Sequence, residues 1–283
     1  MTSGLDNLSL ALFTALAPAG VVAFIVLALA RIFSADHDRA VRIDRMIALP
    51  FAVALLGFIA SATHLGTPAN ALHVFAGVGT SPLSNEVLSA VVFLFLSGSY
   101  WMAAFKVNFP DALAKPWLVA ACLAGIALLA CTSQAYAVRT VPTWNTPYTP
   151  TNLIFAGLFE GAVFSQIFLS AAKAPLQRTG IVLVGLAGVS LVGNIAVMAV
   201  QNTALNAIAN NEFAAATLAP DYSLIIAFYA LAGLAAIVLD GWALRAATST
   251  RTRFIMRIIA GVLAFAAFAA RTVFYSLHMT IGF

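Results

Sequence analysis

Apolar residues fall along this chain in eight long runs, and polar residues collect between them. The runs cover residues 8–30, 46–63, 86–105, 117–138, 151–172, 180–200, 223–244 and 254–276. Each comes close to the ~20 apolar residues that a helix needs to cross a hydrocarbon layer of ~30 Å. They are rich in Ala, Leu, Val and Phe over helical lengths, whereas a barrel would show short alternating segments. The pattern therefore predicts an all-α integral membrane protein, a bundle of eight transmembrane helices.

Composition sharpens this reading. Hydrophobic residues make up 62% of the sequence and charged residues 8%, with mean hydropathy +0.98. A soluble domain carries about 25% charged residues. The spans consume nearly all of residues 1–283, so a single transmembrane domain is expected. The net charge of +4 bears on topology, because no basic patch with interleaved aromatics suggests nucleic acid. Cys122 and Cys131 share one apolar run and read as small core residues, with no metal motif expected. Residues 1–7 lack the basic start of a cleavable signal peptide.

The basic residues predict the orientation. Arg31, Arg39, Arg42 and Arg45 flank the first connection, and Lys106 and Lys115 the third. Lys173 and Arg178 lie in the fifth, and Arg245, Arg251, Arg253 and Arg257 surround the seventh. Of the 14 Lys and Arg residues, this leaves only Arg139 and Arg271 for the other side. The odd connections are thus expected in the cytoplasm, with both termini on the outer, periplasmic side of a bacterial inner membrane.

Candidate chemistry collects on that outer side. The stretch 64–86, HLGTPANALHVFAGVGTSPLSNE, carries two His, two Asn and one carboxylate but no Lys or Arg. Ionisable groups at the edge of the hydrocarbon are expensive and usually functional. His64 ends the second run, and an imidazole exchanges protons near neutrality. Glu86 opens the third, where a carboxylate also suits a helix start. Together they form a plausible acid/base pair for a two-proton substrate. Arg271, Tyr275 and His278 are spaced i, i+4, i+7 and share one helix face. A buried Arg271 paired with a carboxylate such as Glu86, or an Arg271 snorkelling to the headgroups, would explain that residue without function. Glu160 lies mid-run with its role open, and Asn194 reads as an interhelical hydrogen-bonding group. Outer connections carrying Trp144, Tyr148, several prolines and the NTALNAIANNEF segment suggest a docking platform for a partner.

Haem ligated across helices would need paired histidines at membrane depth. His37 lies in the basic connection, while His64, His73 and His278 lie toward the outer side, so no haem is expected. Without it, a redox partner must dock on the side that holds the substrate.

The segments HLGTP, SPLSNE, VPTW, PDY and VFYSLHMTIG occur in order along the sequence. With them the sequence resembles the membrane-anchor subunit of the dimethyl sulfoxide reductase family over essentially its whole length. The resemblance implies an eight-helix anchor that oxidises a quinol, usually menaquinol, as bound substrate in anaerobic respiration. It implies electron transfer to an iron–sulfur subunit with four [4Fe–4S] clusters and on to a molybdopterin catalytic subunit that holds the terminal-acceptor site. The family's quinol-site histidine and carboxylate match His64 and Glu86. Arg271, Tyr275 and His278 fall in a matching segment without an assigned role. Alternatives are the same anchor run in reverse, as a quinone reducer in a sulfite-oxidising complex, and a transporter or purely structural anchor. A transporter is disfavoured because no convincing internal repeat is evident.

The charge asymmetry predicts that single cysteines at positions 73 and 144 label with a membrane-impermeant reagent in intact cells. Those at 42 and 251 should stay protected; strong labelling there would reverse the orientation.

Overall fold

Helix α1 (Leu8–Ile32) and helix α6 (Tyr148–Ala171) lie at the centre of the bundle, with 72% of the apolar window of each buried. For the other six membrane-length helices the figure is 28–39%, so these form an outer ring that faces lipid. The computed structural model describes residues 7–64, 68–105, 109–245 and 250–279. Eight helices within these residues are long and apolar enough to cross a membrane. The elements surrounding α1 and α6 are α2 (His37–Met46), α3 (Ala48–Ala62), α4 (Pro82–Ala103) and α5 (Asp111–Ala135). They continue with α7 (Gln177–Ala204), α8 (Tyr222–Arg245) and α9 (Thr250–Ser276). Exposed Leu56, Phe95, Leu123, Val189, Leu231 and Phe265 belong to the ring, as expected where lipid replaces water.

Lipid tails are as apolar as leucine, so close backbone approach does much of the work of helix association here. A Cβ at Gly20 of α1 would lie 2.5 Å from the Ala54 backbone nitrogen of α3. One at Gly161 of α6 would lie 2.4 Å from the Val22 Cβ of α1. Glycine at these two positions is therefore what lets α1 sit between α3 and α6.

Helix boundaries shift the chemistry relative to the sequence reading. Ser81 is an extended N-cap whose hydroxyl accepts from Ser84 N, and Pro82 follows at the first helical position. Helix α4 thus begins four residues before the apolar run at 86, and Glu86 sits inside the helix, not at its opening. The basic connection after α1 contains a further helix, α2, capped by Asp36, whose carboxylate accepts from Asp38 N. On the opposite end, residues Pro68–Gly77 form a 3-10 segment, and Leu205–Ala207 and Ala215–Leu218 form two shorter ones. Leu65, Gly66 and Thr67 of the HLGTP motif, Lys106, and the last residues of VFYSLHMTIG lie outside the described residues.

The end of the bundle that carries most basic residues is closed by a buried ionic cluster. The Arg31 guanidinium donates to Asp44 at 2.9 Å and to Asp111 at 2.7 Å, and Tyr100 donates to Asp44 at 2.6 Å. Four elements (α1, α2, α4 and α5) meet there. Arg42 Nε donates to the Ala172 carbonyl at 3.0 Å and ties α2 to the end of α6. Removing one partner from a buried pair strands the other charge, at a cost on the order of 3–5 kcal/mol. Asp44→Ala should accordingly lower the thermal unfolding midpoint in detergent well below that of Asp111→Ala, whose carboxylate is about half exposed. Equal effects would show that the buried pair is not what holds this end.

Candidate functional site

At the opposite end, polar side chains from four helices converge beneath a capping loop. Glu86 of α4 is 5% exposed, and its Oε1 has no hydrogen-bond partner. Its carboxyl faces Thr132 of α5. One turn further on, at the C-cap of α5, Tyr136 lies edge-on to Tyr275 of α9, with ring centroids 5.9 Å apart and planes at 81°. Tyr275 is 1% exposed and donates to the Leu10 carbonyl of α1 at 3.3 Å. Its hydroxyl is also 3.5 Å from Thr14 Oγ1. Arg271, one turn before Tyr275, is 5% exposed, and its Nη2 is buried without a partner. Tyr136 and Tyr275 both lie within electrostatic reach of Glu86 and of Arg271. The tyrosine pair thus neighbours both the carboxyl group, which faces Thr132, and the guanidinium.

Buried polar atoms almost always have partners. Glu86 Oε1 and Arg271 Nη2 are among the few described buried polar atoms that lack one, as are Arg31 Nη1 and Gln166 Oε1. Arg271 forms no direct ion pair among the described residues, so neither the pairing with Glu86 nor snorkelling accounts for it.

The loop after α5 roofs this cluster. Trp144 stacks on Phe274, centroids 5.0 Å apart and planes at 14°, and its Nε1 donates to the Phe274 carbonyl at 3.0 Å. Thr143 Oγ1 donates to the Leu277 carbonyl. The Phe274 carbonyl also accepts from Leu277 N at 3.2 Å, so Trp144 adds a second donor there. His278, half-buried, packs its ring edge-on against Trp144 at 5.0 Å.

The sequence-predicted residues thus separate into two groups. Glu86, Arg271 and Tyr275 come together, with His278 at their edge against Trp144. His64 is exposed just beyond the end of α3, and its side chain has no hydrogen bond, ion pair or ring contact among the described residues. Thr132 and Tyr136 were not singled out from the sequence. The available signal was a polar pair one helical turn apart at the end of an apolar run. Asn194 behaves as expected, its Nδ2 donating to the Asn152 carbonyl at 2.9 Å.

A second polar pocket adjoins the first. Glu160 of α6 is 3% exposed and accepts from Tyr229 of α8 at 3.0 Å. Glu160, Tyr229, Asn194 and Tyr222 line a small cleft that also reaches Arg271.

The profile of the DMSO reductase anchor subunit family (DmsC) matches residues 1–277. One polypeptide of the anaerobic dimethyl sulfoxide reductase of Escherichia coli is 31% identical, over 100% of this sequence and 98% of its own length. A polypeptide of the anaerobic dimethyl sulfoxide reductase of Haemophilus influenzae is 31% identical over 61% of this sequence, a match that spans 62% of that relative. A subunit of the sulfite dehydrogenase of Allochromatium vinosum is 31% identical over 53% of this sequence and 49% of its own.

Trp144→Ala removes the stacked ring, one hydrogen bond to α9 and the surface that holds His278. It should lower the thermal midpoint of the purified protein and open the end of α9 to hydrogen exchange. Unchanged protection at residues 274–278 would mean that the loop does not hold this end.

Proposed function

Because the chain belongs to the DMSO reductase anchor subunit family, we propose that it oxidises a quinol, with menaquinol as the expected substrate, at the Glu86 end of the bundle. The protein is a multi-pass membrane protein of a family that anchors multi-subunit oxidoreductases. In this reading its electrons pass to an iron–sulfur subunit with four [4Fe–4S] clusters and then to a molybdopterin subunit. The quinol end, with both termini, faces the periplasmic side of the inner membrane, as the basic residues at the other end favour.

The observation that carries this reading is Glu86. It is a buried carboxyl group with an unpartnered oxygen, facing Thr132 and near a tyrosine pair, at one end of a lipid-facing bundle. A lipophilic diphenol can enter from the bilayer and present a hydroxyl to that oxygen. Oxidation removes two electrons and two protons. Glu86 accepts one proton from the ring hydroxyl. His64, exposed at the same end of the bundle, binds the second hydroxyl or takes its proton to water. Arg271 and Tyr275 hold the polar side of the pocket, and His278 on Trp144 borders it.

The similarity to a sulfite dehydrogenase subunit favours one second reading, in which the same residues deliver protons to a quinone and the electron flow is reversed. The site is the same in both.

Loss of a general base costs about 10²–10⁴-fold in rate. In membranes holding the assembled complex, His64→Ala should reduce quinol-driven turnover by that order, while a dye that reduces the partner subunits directly still supports full activity. Glu86→Gln should behave alike without loss of assembly. If dye-driven activity falls in parallel, these residues serve assembly; if neither activity falls, the quinol site lies elsewhere.

A further inference from the structure

Glu160 is unused by the mechanism above, yet it is a buried carboxyl group in the middle of a central helix. It lines one cleft with Asn152 of its own helix, Asn194 of α7, Tyr222 and Tyr229 of α8 and Arg271 of α9. Glu86 takes no part in that wall; its carboxyl faces Thr132. The Arg271 guanidinium forms no hydrogen bond or ion pair among the described residues, and its Nη2 is buried. The cleft has room for about one water, the size at which a polar cavity fills.

Most other polar groups of the wall already donate elsewhere. Tyr229 donates to Glu160 Oε1 at 3.0 Å, Tyr222 to Gln201 Oε1 at 3.2 Å, and Asn194 Nδ2 to the Asn152 carbonyl at 2.9 Å. Arg271 is the group with donors to spare, and Glu160 is the carboxyl group in the wall. A guanidinium keeps its proton in a protein. Its charge must therefore be balanced where it lies, and charges within a membrane pair with one another. Burial opposes the charge on Glu160, while the nearby guanidinium and the Tyr229 donor favour it. A water in the cleft would add a further hydrogen bond to the carboxylate.

We propose that Glu160 is the counter-ion of Arg271, joined to it through a single water in this cleft that accepts from Nη2 and donates to the carboxylate. The bridge ties α6 to α9 inside the bundle, and Tyr229 holds the carboxylate from α8. It fixes the guanidinium with the geometry of a hydrogen-bonded pair, although the two side chains form no direct ion pair. In the quinol reading Arg271 holds the polar side of the pocket, so Glu160 is a positioning residue for it. Only that last role rests on the quinol reading; the pairing stands on the cleft.

Infrared spectra of the complex test the pairing without a quinol, because protonated carboxyl groups absorb through their C=O stretch. An ionised Glu160 predicts that Glu160→Gln leaves this absorption unchanged. Arg271→Gln, which removes the counter-charge, should add one carboxyl's worth, and Arg271→Lys, which keeps it, should add none. The added band should vanish in the Glu160→Gln/Arg271→Gln double variant. Loss of absorption in Glu160→Gln, no gain in Arg271→Gln, or a gain that survives in the double variant would overturn the pairing; the last outcome would give the charge to another carboxyl group such as Glu86. A density map of the unaltered complex that resolves waters needs no variant. It should show one water between Nη2 and Glu160, and an empty cleft or direct contact of the two side chains would overturn the bridge. Glu160→Gln should also raise the KM for quinol severalfold with dye-driven turnover intact; an unchanged KM would remove the positioning role. Should His64→Ala and Glu86→Gln leave quinol turnover intact, the functional reading fails while the infrared result still stands or falls alone.

Discussion

Hydrocarbon offers no partner to a polar group, and every organised feature of this protein answers to that constraint. It forces the backbone into helices and drives polar side chains inward, where only contact between helices can satisfy them. The central position of α1 follows from the same condition. With lipid as solvent, helices gain little from burying leucine, and close approach at Gly20 and Gly161 supplies the packing instead. Buried charges accordingly sit where one helix meets another, as Arg31, Glu86, Glu160 and Arg271 do.

The two ends of the bundle use this interior differently. At the basic end, Arg31 meets two carboxylates and Asp44 also accepts from Tyr100, so four elements are locked by charge-assisted bonds. At the far end, Glu86 and Arg271 are equally buried but form no ion pair among the described residues, and each keeps an atom without a partner, as Arg31 does with Nη1. The first cluster is a fastening. The second is poised to receive a ligand or a water, and the Trp144 loop, pinned to α9 through Phe274 and Leu277, roofs it.

Glu160 shows how neighbours place a carboxyl group in the middle of an apolar helix. Midway along an apolar helix it could have been a satisfied interhelical hydrogen bond, and its contact with Tyr229 would suffice for that. The adjacent cleft, which Arg271 and Phe274 also line, connects it to the end that the Trp144 loop roofs instead.

Much of this was legible along the sequence. The eight spans, the segregation of basic residues to one end and the candidacy of Glu86, Arg271 and Tyr275 follow from run length, charge spacing and helical periodicity. These are local properties, and the bilayer enforces them residue by residue. Helix starts were less legible, because Ser81 and Pro82 set the beginning of α4 through capping geometry that hydropathy does not register. Tertiary structure alone decided which polar residues meet. Glu86, Tyr136 and Tyr275 come from helices far apart in sequence, and nothing in their spacing brings them together; helix packing does. It likewise left His64 exposed beyond α3 while burying Glu86, although one short connection joins the two. Periodicity reports which face of a helix is polar. Which other face it meets depends on close contacts such as Gly20 on Ala54 and Gly161 on Val22, and those exist only once the bundle has formed.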